Sequence, residues 1–192
     1  AVTLNGSNSY SGGTILNAGS SLIIGNSAAI GLPNLTSNGS INNPASLTMA
    51  DGVMLSYLDI SSGTVQLLSN VTTSGTQRYS NALIGSPSGA VSLQSTNANI
   101  LFAGTIDSAS AKTQSLTINA GTGVVTLSDS VGSNARLNSL TVSGSSINLL
   151  ADILTAAGQS YNGNVFIGDA SYLGGVPQIG FLYSGYKNYF QY

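Results

Sequence analysis

Short runs of alternating apolar and polar residues recur along the whole chain. Small turn residues, mostly Gly, Asn and Ser, interrupt these runs every few positions. Alternation with a period of two predicts half-buried β-strands, and the interrupting residues predict tight turns between them. Helical patterns are nearly absent, so the sequence predicts an all-β fold.

The alternating runs repeat at a nearly constant interval. Ser115-Leu116-Thr117-Ile118 returns 24 residues later as Ser139-Leu140-Thr141-Val142, and Ser46-Leu47-Thr48-Met49 has the same form. After Gly turns, Val124–Leu127 and Ile147–Leu150 follow the first two of these runs, and they are 23 residues apart. A fixed period of this size indicates stacked structural repeats.

A longer unit repeats as well. The first copy contains Thr73, Gln77, Tyr79 and Leu83–Ile84, and the second contains Thr155, Gln159, Tyr161 and Val165–Phe166.

A period of about 20 to 24 residues, with two or three short strands and no helix, is what one coil of a β-solenoid requires. The sequence therefore predicts a parallel β-helix of about eight or nine coils. Leu116 and Leu140 lie one coil apart, and so do Ile118 and Val142. Because successive coils place equivalent residues over one another, we expect these four side chains to form core ladders. The competing structure is a two-sheet antiparallel sandwich, which gives no reason for the repeat.

The chain is predicted to contain one solenoid domain, 1–173, and a distinct C-terminal segment. Within the domain, Pro33 and Pro44 interrupt the pattern in an irregular stretch at about 32–70. The segment 174–192 is rich in aromatic residues, and it is predicted either to cap the last coil or to join another subunit by strand pairing. Its candidate contact residues are Phe181, Tyr183, Tyr186, Tyr189, Phe190 and Tyr192.

Composition narrows the chemistry. Charged residues make up only 5% of the chain, against roughly 25% in ordinary soluble domains. Stacking explains the deficit, since a charge repeated in every coil would face a like charge, whereas Ser, Thr and Asn form hydrogen-bonded ladders. His and Cys are absent and all six acids are Asp, so thiol and histidine catalysis are excluded and no cofactor is expected. Four cations make nucleic-acid binding implausible, and no apolar run is long enough for a membrane span.

The aspartates are the remaining candidates for catalysis. Asp129 and Asp152 are 23 residues apart, so neighbouring coils would place them on one face, where paired carboxylates support acid–base chemistry or Ca²⁺ binding. The simpler interpretation is that each bonds its own turn backbone, as Asp commonly does. We adopt this interpretation and predict no enzymatic activity, while Ca²⁺ binding by the pair stays open.

A second alternative concerns threonines. Thr48, Thr117 and Thr141 are expected to lie in an outward row, which is a feature of ice-binding surfaces. Other coils place Ser92 or Ile23 at the corresponding position, so the row lacks the regular Thr array that such a surface needs.

Two segments carry a resemblance to known families. The segment from Asn8 to Leu22, NSYSGGTILNAGSSL, with Gly25–Gly31, GNSAAIG, resembles the autotransporter-associated β-strand repeat. Thr72-Thr73-Ser74-Gly75 with Gln77 and Tyr79, followed by Ser115–Gly121, is similar to the repeats of filamentous-haemagglutinin-type exoproteins.

The resemblance covers about two thirds of the chain. It implies a right-handed parallel β-helix in a secreted adhesin displayed on the surface of a Gram-negative bacterium, and it brings no catalytic residues.

Together these observations predict a structural, non-enzymatic segment of a secreted or surface-displayed adhesin or extracellular fibre. The expected partners are further copies of the chain, glycans, and host or abiotic surfaces. The alternative function is a β-helical polysaccharide-active enzyme or a tail-spike-like glycan-binding module.

Overall fold

The structure is a computed structural model that describes residues 2–6, 14–15, 22–24, 34–37, 45–49, 54–55, 57–60, 63–68 and 70–168. These residues form strands and turns, and no helix occurs among them. The strands are β1 (Val2–Leu4), β2 (Thr14–Ile15), β3 (Leu22–Ile24), β4 (Asn34–Ser37), β5 (Ala45–Met49), β6 (Met54–Leu55), β7 (Tyr57–Ile60), β8 (Thr64–Leu67), β9 (Val71–Thr73), β10 (Gln77–Tyr79), β11 (Asn81–Ile84), β12 (Ala90–Ser95), β13 (Ile100–Phe102), β14 (Ile106–Ser108), β15 (Ser115–Asn119), β16 (Val124–Leu127), β17 (Leu140–Leu149) and β18 (Gln159–Ile167).

The strands wind around three faces, and every pairing between them is parallel. The first face contains β1, β3, β5, β8, β11 and β14, and single bridges at Val131 and Ile153 extend it. The second face contains β6, β9, β12, β15 and the first halves of β17 and β18. The third face contains β2, β4, β7, β10, β13, β16 and the second halves of β17 and β18. The prediction of an all-β parallel solenoid is confirmed, and the antiparallel sandwich is wrong.

The chain completes about five turns between Leu58 and Val165. On the third face Leu58, Gln77, Ile100, Val125, Ile147 and Val165 pair in succession, so the coils are 18 to 25 residues long. This count differs from the eight or nine coils predicted, which were counted over the whole chain of 192 residues. The strands before residue 57 pair in parallel on the same faces.

The predicted repeat differs from the structure in two places, and the stack contains one register shift. Val125 pairs with Ile147, 22 residues later and not 23, so the predicted match of Val124 with Ile147 is displaced by one residue. The register of β17 against β18 also shifts, between Ser143 and Ser146. In addition, Ser46–Met49 lies in β5 on the first face, whereas its sequence match in β15 lies on the second. Short apolar and polar patterns therefore recur on faces that are not equivalent.

The core runs along the axis of the solenoid. Buried and less buried residues alternate along the strands, as in β8, β11 and β16. The core contains Leu, Ile and Val from all three faces, together with the stacked rings of Tyr79 and Phe102, whose centroids are 4.6 Å apart. Each coil contacts the coils on either side, so the apolar side chains of one coil are buried by those of its neighbours.

Turn residues also hold adjacent coils together. Asn side chains accept hydrogen bonds from backbone N–H groups one coil later: Asn97 from Thr122 and Asn99 from Val124. These bonds satisfy backbone donors at corners where the strand ladder is interrupted.

Replacing Gly132 with Ala is expected to destabilise the solenoid by about 2 kcal/mol or more. Gly132 has a φ of 74°, which L-residues with a Cβ adopt at a cost of about 1–2 kcal/mol, and a Cβ there would collide with the carbonyl oxygen of Leu154 in the next coil. Gly158 is the matched control, because a Cβ there meets nothing within 4 Å. Thermal melting of the two variants measures the difference, and equal melting temperatures would contradict the close stacking at Gly132.

Candidate functional site

Hydroxyl and amide side chains connect successive coils on the outside of the solenoid. The Ser139 hydroxyl donates to Ser115 Oγ at 2.9 Å, and Asn148 Nδ2 donates to Thr126 Oγ1 at 3.2 Å. The predicted Ser, Thr and Asn ladders are therefore confirmed. The exterior carries many neutral donors and acceptors at a regular spacing.

The outward row that contains the predicted threonines lies on the second face. It runs through Ser92, Thr117, Thr141 and Ser160. Thr48 belongs to β5 on the first face, so its expected place in this row is wrong. A row with two Thr and two Ser lacks the regular Thr array of an ice-binding surface.

The third face carries the most varied outward row. Asp59, Arg78, Leu101, Thr126, Asn148 and Phe166 occupy one register position in successive coils. Arg78 Nη1 lies 3.5 Å from Asp59 Oδ1, and both side chains are partly exposed. Exposed pairs of this kind contribute about 0–1 kcal/mol.

A shallow cavity of about 310 Å³ lies beside this pair. Its lining includes Thr76, Arg78, Asn99, Leu101 and Thr126. One cation, three apolar side chains and several neutral polar groups suit weak contacts with a sugar chain.

Asp107 has a structural role. Its carboxylate is buried and accepts hydrogen bonds from the backbone N–H groups of Asn134 and Ala135 and from Asn134 Nδ2, all at 3.0 Å. The donors lie one coil later, so this aspartate fixes the turn that follows Val131.

Asp129 and Asp152 are both exposed. Asp129 Oδ1 accepts hydrogen bonds from the backbone N–H and the hydroxyl of Ser130, at 2.7 and 3.2 Å. The turn interpretation is thus confirmed for Asp129. Within the described ranges no three acidic residues come together as a metal site, and Ca²⁺ binding by the pair of aspartates stays an open prediction.

The repeated Thr, Gln and Tyr residues build a buried corner, which we call the glutamine corner. In the first copy the Tyr79 hydroxyl donates to Gln77 Oε1 at 2.8 Å, and Gln77 Nε2 donates to Thr73 Oγ1 at 3.2 Å. The Thr73 hydroxyl donates to the carbonyl of Gly75. Thr73, Gln77 and Tyr79 are all buried, so this relay satisfies polar groups inside an apolar core.

The second copy repeats the same relay. The Tyr161 hydroxyl donates to Gln159 Oε1 at 2.8 Å, Gln159 Nε2 donates to Thr155 Oγ1 at 3.3 Å, and the Thr155 hydroxyl donates to the carbonyl of Ala157. The two copies occupy different corners, because β10 lies on the third face and the first half of β18 on the second. The glutamine corner is thus a local unit that does not depend on which face follows it.

Burial raises the pKa of both tyrosines above the ordinary value of about 10. Above pH 10 the unfolded chain loses these protons while the folded chain keeps them, so unfolding is favoured as the pH rises. Below pH 10 both states keep them, and the chain has no His to titrate near neutrality.

We therefore expect a melting temperature that is nearly constant from pH 6 to 9 and falls above about pH 10. Tyr79→Phe should reduce the steepness of the alkaline fall. A melting temperature that stays constant to pH 12 would contradict the burial of these hydroxyls.

The four predicted ladder residues lie in the core. Leu116 pairs with Leu140 and Ile118 with Val142, and each side chain is at most 1% exposed. The aromatic contact residues predicted in 174–192 lie outside the described residues. The described part of the chain contains no helix that is long and apolar enough to cross a membrane.

Comparison with known proteins gives no assignment. No family model, no curated protein and no solved structure matches this chain.

Proposed function

We propose that this chain is a structural, non-enzymatic segment of a secreted or surface-displayed bacterial adhesin or extracellular fibre. The observation that carries the proposal is the continuous stack of coils. The apolar core packs from one coil to the next, and side chains in the strands and turns form hydrogen bonds between adjacent coils. Such a stack makes a stiff rod, because each coil has neighbours that restrain it on both sides.

The exterior supports an adhesive role. It is nearly uncharged and presents rows of hydroxyl and amide groups at one spacing per coil. Many weak contacts on one rigid rod add up through effective concentration. The partners proposed are glycans, host or abiotic surfaces and further copies of the chain, with the aromatic segment 174–192 as a cap or a joint.

The finer structural features belong to the same proposal. A right-handed winding is proposed on the resemblance to right-handed parallel β-helices. Export to the cell surface, and membership of the autotransporter or filamentous-haemagglutinin type of exoprotein, rest on the resemblance of Asn8–Leu22 and Val71–Tyr79 to those repeats.

Glycan binding with or without cleavage is the second candidate, and the cavity beside Arg78 favours it. The test is to incubate the purified chain with pectins and host glycans, and to measure new reducing ends and retained glycan. Binding without cleavage supports the adhesin. Catalytic turnover of any of these glycans would overturn the structural proposal and support the enzyme.

A further inference from the structure

Two of the four cations in the chain are stacked at one corner of the solenoid, which we call the cationic corner. Lys112 and Arg136 are 24 residues apart in the sequence, yet the backbone N–H of Lys112 donates to the carbonyl of Arg136 at 2.7 Å. Lys112 lies between the first and second faces, and Arg136 lies at the same corner one coil later. Both side chains are exposed. Because neighbouring strands are about 4.8 Å apart, these long side chains can reach one common group.

The turn that carries Arg136 is fixed by the preceding coil. The buried Asp107 carboxylate accepts hydrogen bonds from Asn134 and Ala135. The Ser108 N–H donates to the carbonyl of Ala135 at 2.9 Å. A ligand at this corner therefore meets a backbone that is already ordered, which lowers the entropic cost of binding.

The cationic corner is not neutralised by any described residue. Within the part of the chain that the structure describes, neither cationic side chain forms an ion pair or a hydrogen bond, and the ion pair that does form joins Arg78 to Asp59. Asp107, the acid closest to Lys112 in the sequence, is occupied by the turn backbone. Stacked like charges repel each other, so the pair carries a cost that no described contact offsets.

The backbone of Lys112 carries a second cost. Its φ is 65°, in the left-handed region that Gly and Asn adopt more readily than Lys. The other described residues with a positive φ are glycines and Asn97. A glycine or an asparagine would form this turn without the charge, so the fold itself does not require a lysine here.

We propose that the cationic corner binds the acidic groups of a polysaccharide, carboxylate or sulfate. The Arg136 guanidinium can donate two parallel hydrogen bonds to oxygen atoms of one acidic group, and the Lys112 ammonium adds a point charge. Ser110, Thr113 and Ser133 are exposed in the same two turns and can contact the sugar hydroxyls. This binding deepens the proposed function by naming the class of glycan, and it rests on that function in taking a glycan as the partner.

A single pair of cations favours a glycan over other polyanions. Nucleic acids and anionic membranes are bound through larger clusters of cations, whereas the surface around this pair is neutral and rich in hydroxyl groups. A polysaccharide repeats its acidic group along the chain, which keeps another group near the corner after each dissociation.

Retention of the purified chain on immobilised polymers tests the proposal. Dextran sulfate carries sulfate, polygalacturonate carries carboxylate, and dextran is the neutral control. We expect stronger retention on at least one acidic polymer than on dextran, with a decrease as salt is added, because salt screens exposed charges. Retention on one acidic polymer alone identifies the acidic group that is bound.

Variants that remove one charge locate the site. Lys112→Asn introduces a residue that tolerates the positive φ, as Asn97 does, and Arg136→Gln removes the other charge. Each should weaken binding to the acidic polymer about fivefold, which corresponds to an exposed ionic contact of about 1 kcal/mol. The melting temperature of Lys112→Asn should not fall, and Lys112→Arg should retain binding because it keeps the charge.

Thr122→Asp is the matched control. Thr122 is exposed at a different corner, between the second and third faces, and the variant lowers the net charge by the same amount as Lys112→Asn. Its binding to the acidic polymer should be unchanged.

The proposal is overturned if neither acidic polymer retains the chain, if the charge-removing variants bind like the unaltered chain, or if Thr122→Asp loses as much binding as they do. A lower melting temperature for Lys112→Asn would also overturn it, since the fold would then use the lysine. Binding to phosphatidylserine vesicles without binding to either acidic polymer would point to a membrane surface instead. These results leave the structural rod standing, because that proposal fails on the release of new reducing ends from a glycan.

Discussion

Replacing Leu140 with Asp is expected to unfold the solenoid. Leu140 is fully buried and pairs with Leu116 in one coil and Gln159 in the next. The loss of the leucine packing alone costs about 2–5 kcal/mol, and an unpaired carboxylate in an apolar core adds a further desolvation penalty. Because the total stability of a domain is about 5–15 kcal/mol, we expect the variant to lose its cooperative melting transition.

Thr141→Asp is the matched control, since Thr141 is the next residue and points outward in the row with Thr117. It should change the free energy of unfolding by about 0.5 kcal/mol or less, as surface substitutions usually do. Circular dichroism and thermal melting of both variants measure the effect. A soluble Leu140→Asp variant with an undiminished transition would contradict the inward assignment.

The solenoid could be predicted from the sequence because stacking requires an apolar side chain at the same core position in every coil. Leu116 and Leu140 meet the same apolar environment one coil apart, so alternation and spacing identify both as core residues. Coil length is less constrained, because turns of different size connect the same strands. For this reason the coils range from 18 to 25 residues in length, and the predicted pairing of Val124 is displaced by one residue.

The glutamine corner could be detected only in part. The match of Thr73, Gln77 and Tyr79 with Thr155, Gln159 and Tyr161 is visible in the sequence, but the hydrogen-bond relay depends on the backbone turn that brings the three side chains together. The sequence also gave no sign that the corners occupy different faces, because the local unit is the same in both places. The cavity beside Arg78 combines residues from three coils, so no short stretch of the sequence could indicate it.

Cross-coil contacts explain how such a rod needs few charged residues. Asp107 and the Asn side chains near the turns satisfy backbone N–H groups in the following coil. These bonds fix the position of one coil against the next, which surface ion pairs do weakly. A nearly neutral exterior is then compatible with a rigid structure.

Gln77→Leu is expected to destabilise the rod far more than Gln159→Leu, although the two glutamines make the same relay. Gln77 is buried, and its amide bonds Tyr79, Thr73 and the carbonyl of Gln94. Removing it leaves buried polar groups without partners, at about 1–3 kcal/mol each, so we expect a loss of about 3–5 kcal/mol.

Gln159 is half-exposed within one copy, so water replaces its lost hydrogen bonds and Gln159→Leu should cost about 1 kcal/mol. For a chain of this size, 1 kcal/mol corresponds to about 2–4 °C in melting temperature. Melting is measured at a concentration low enough for the chain to be monomeric, which keeps any joint between rods out of the comparison. Equal losses for the two variants would show that the corner draws its stability from the local turn alone, and would contradict the role of the next coil in completing it.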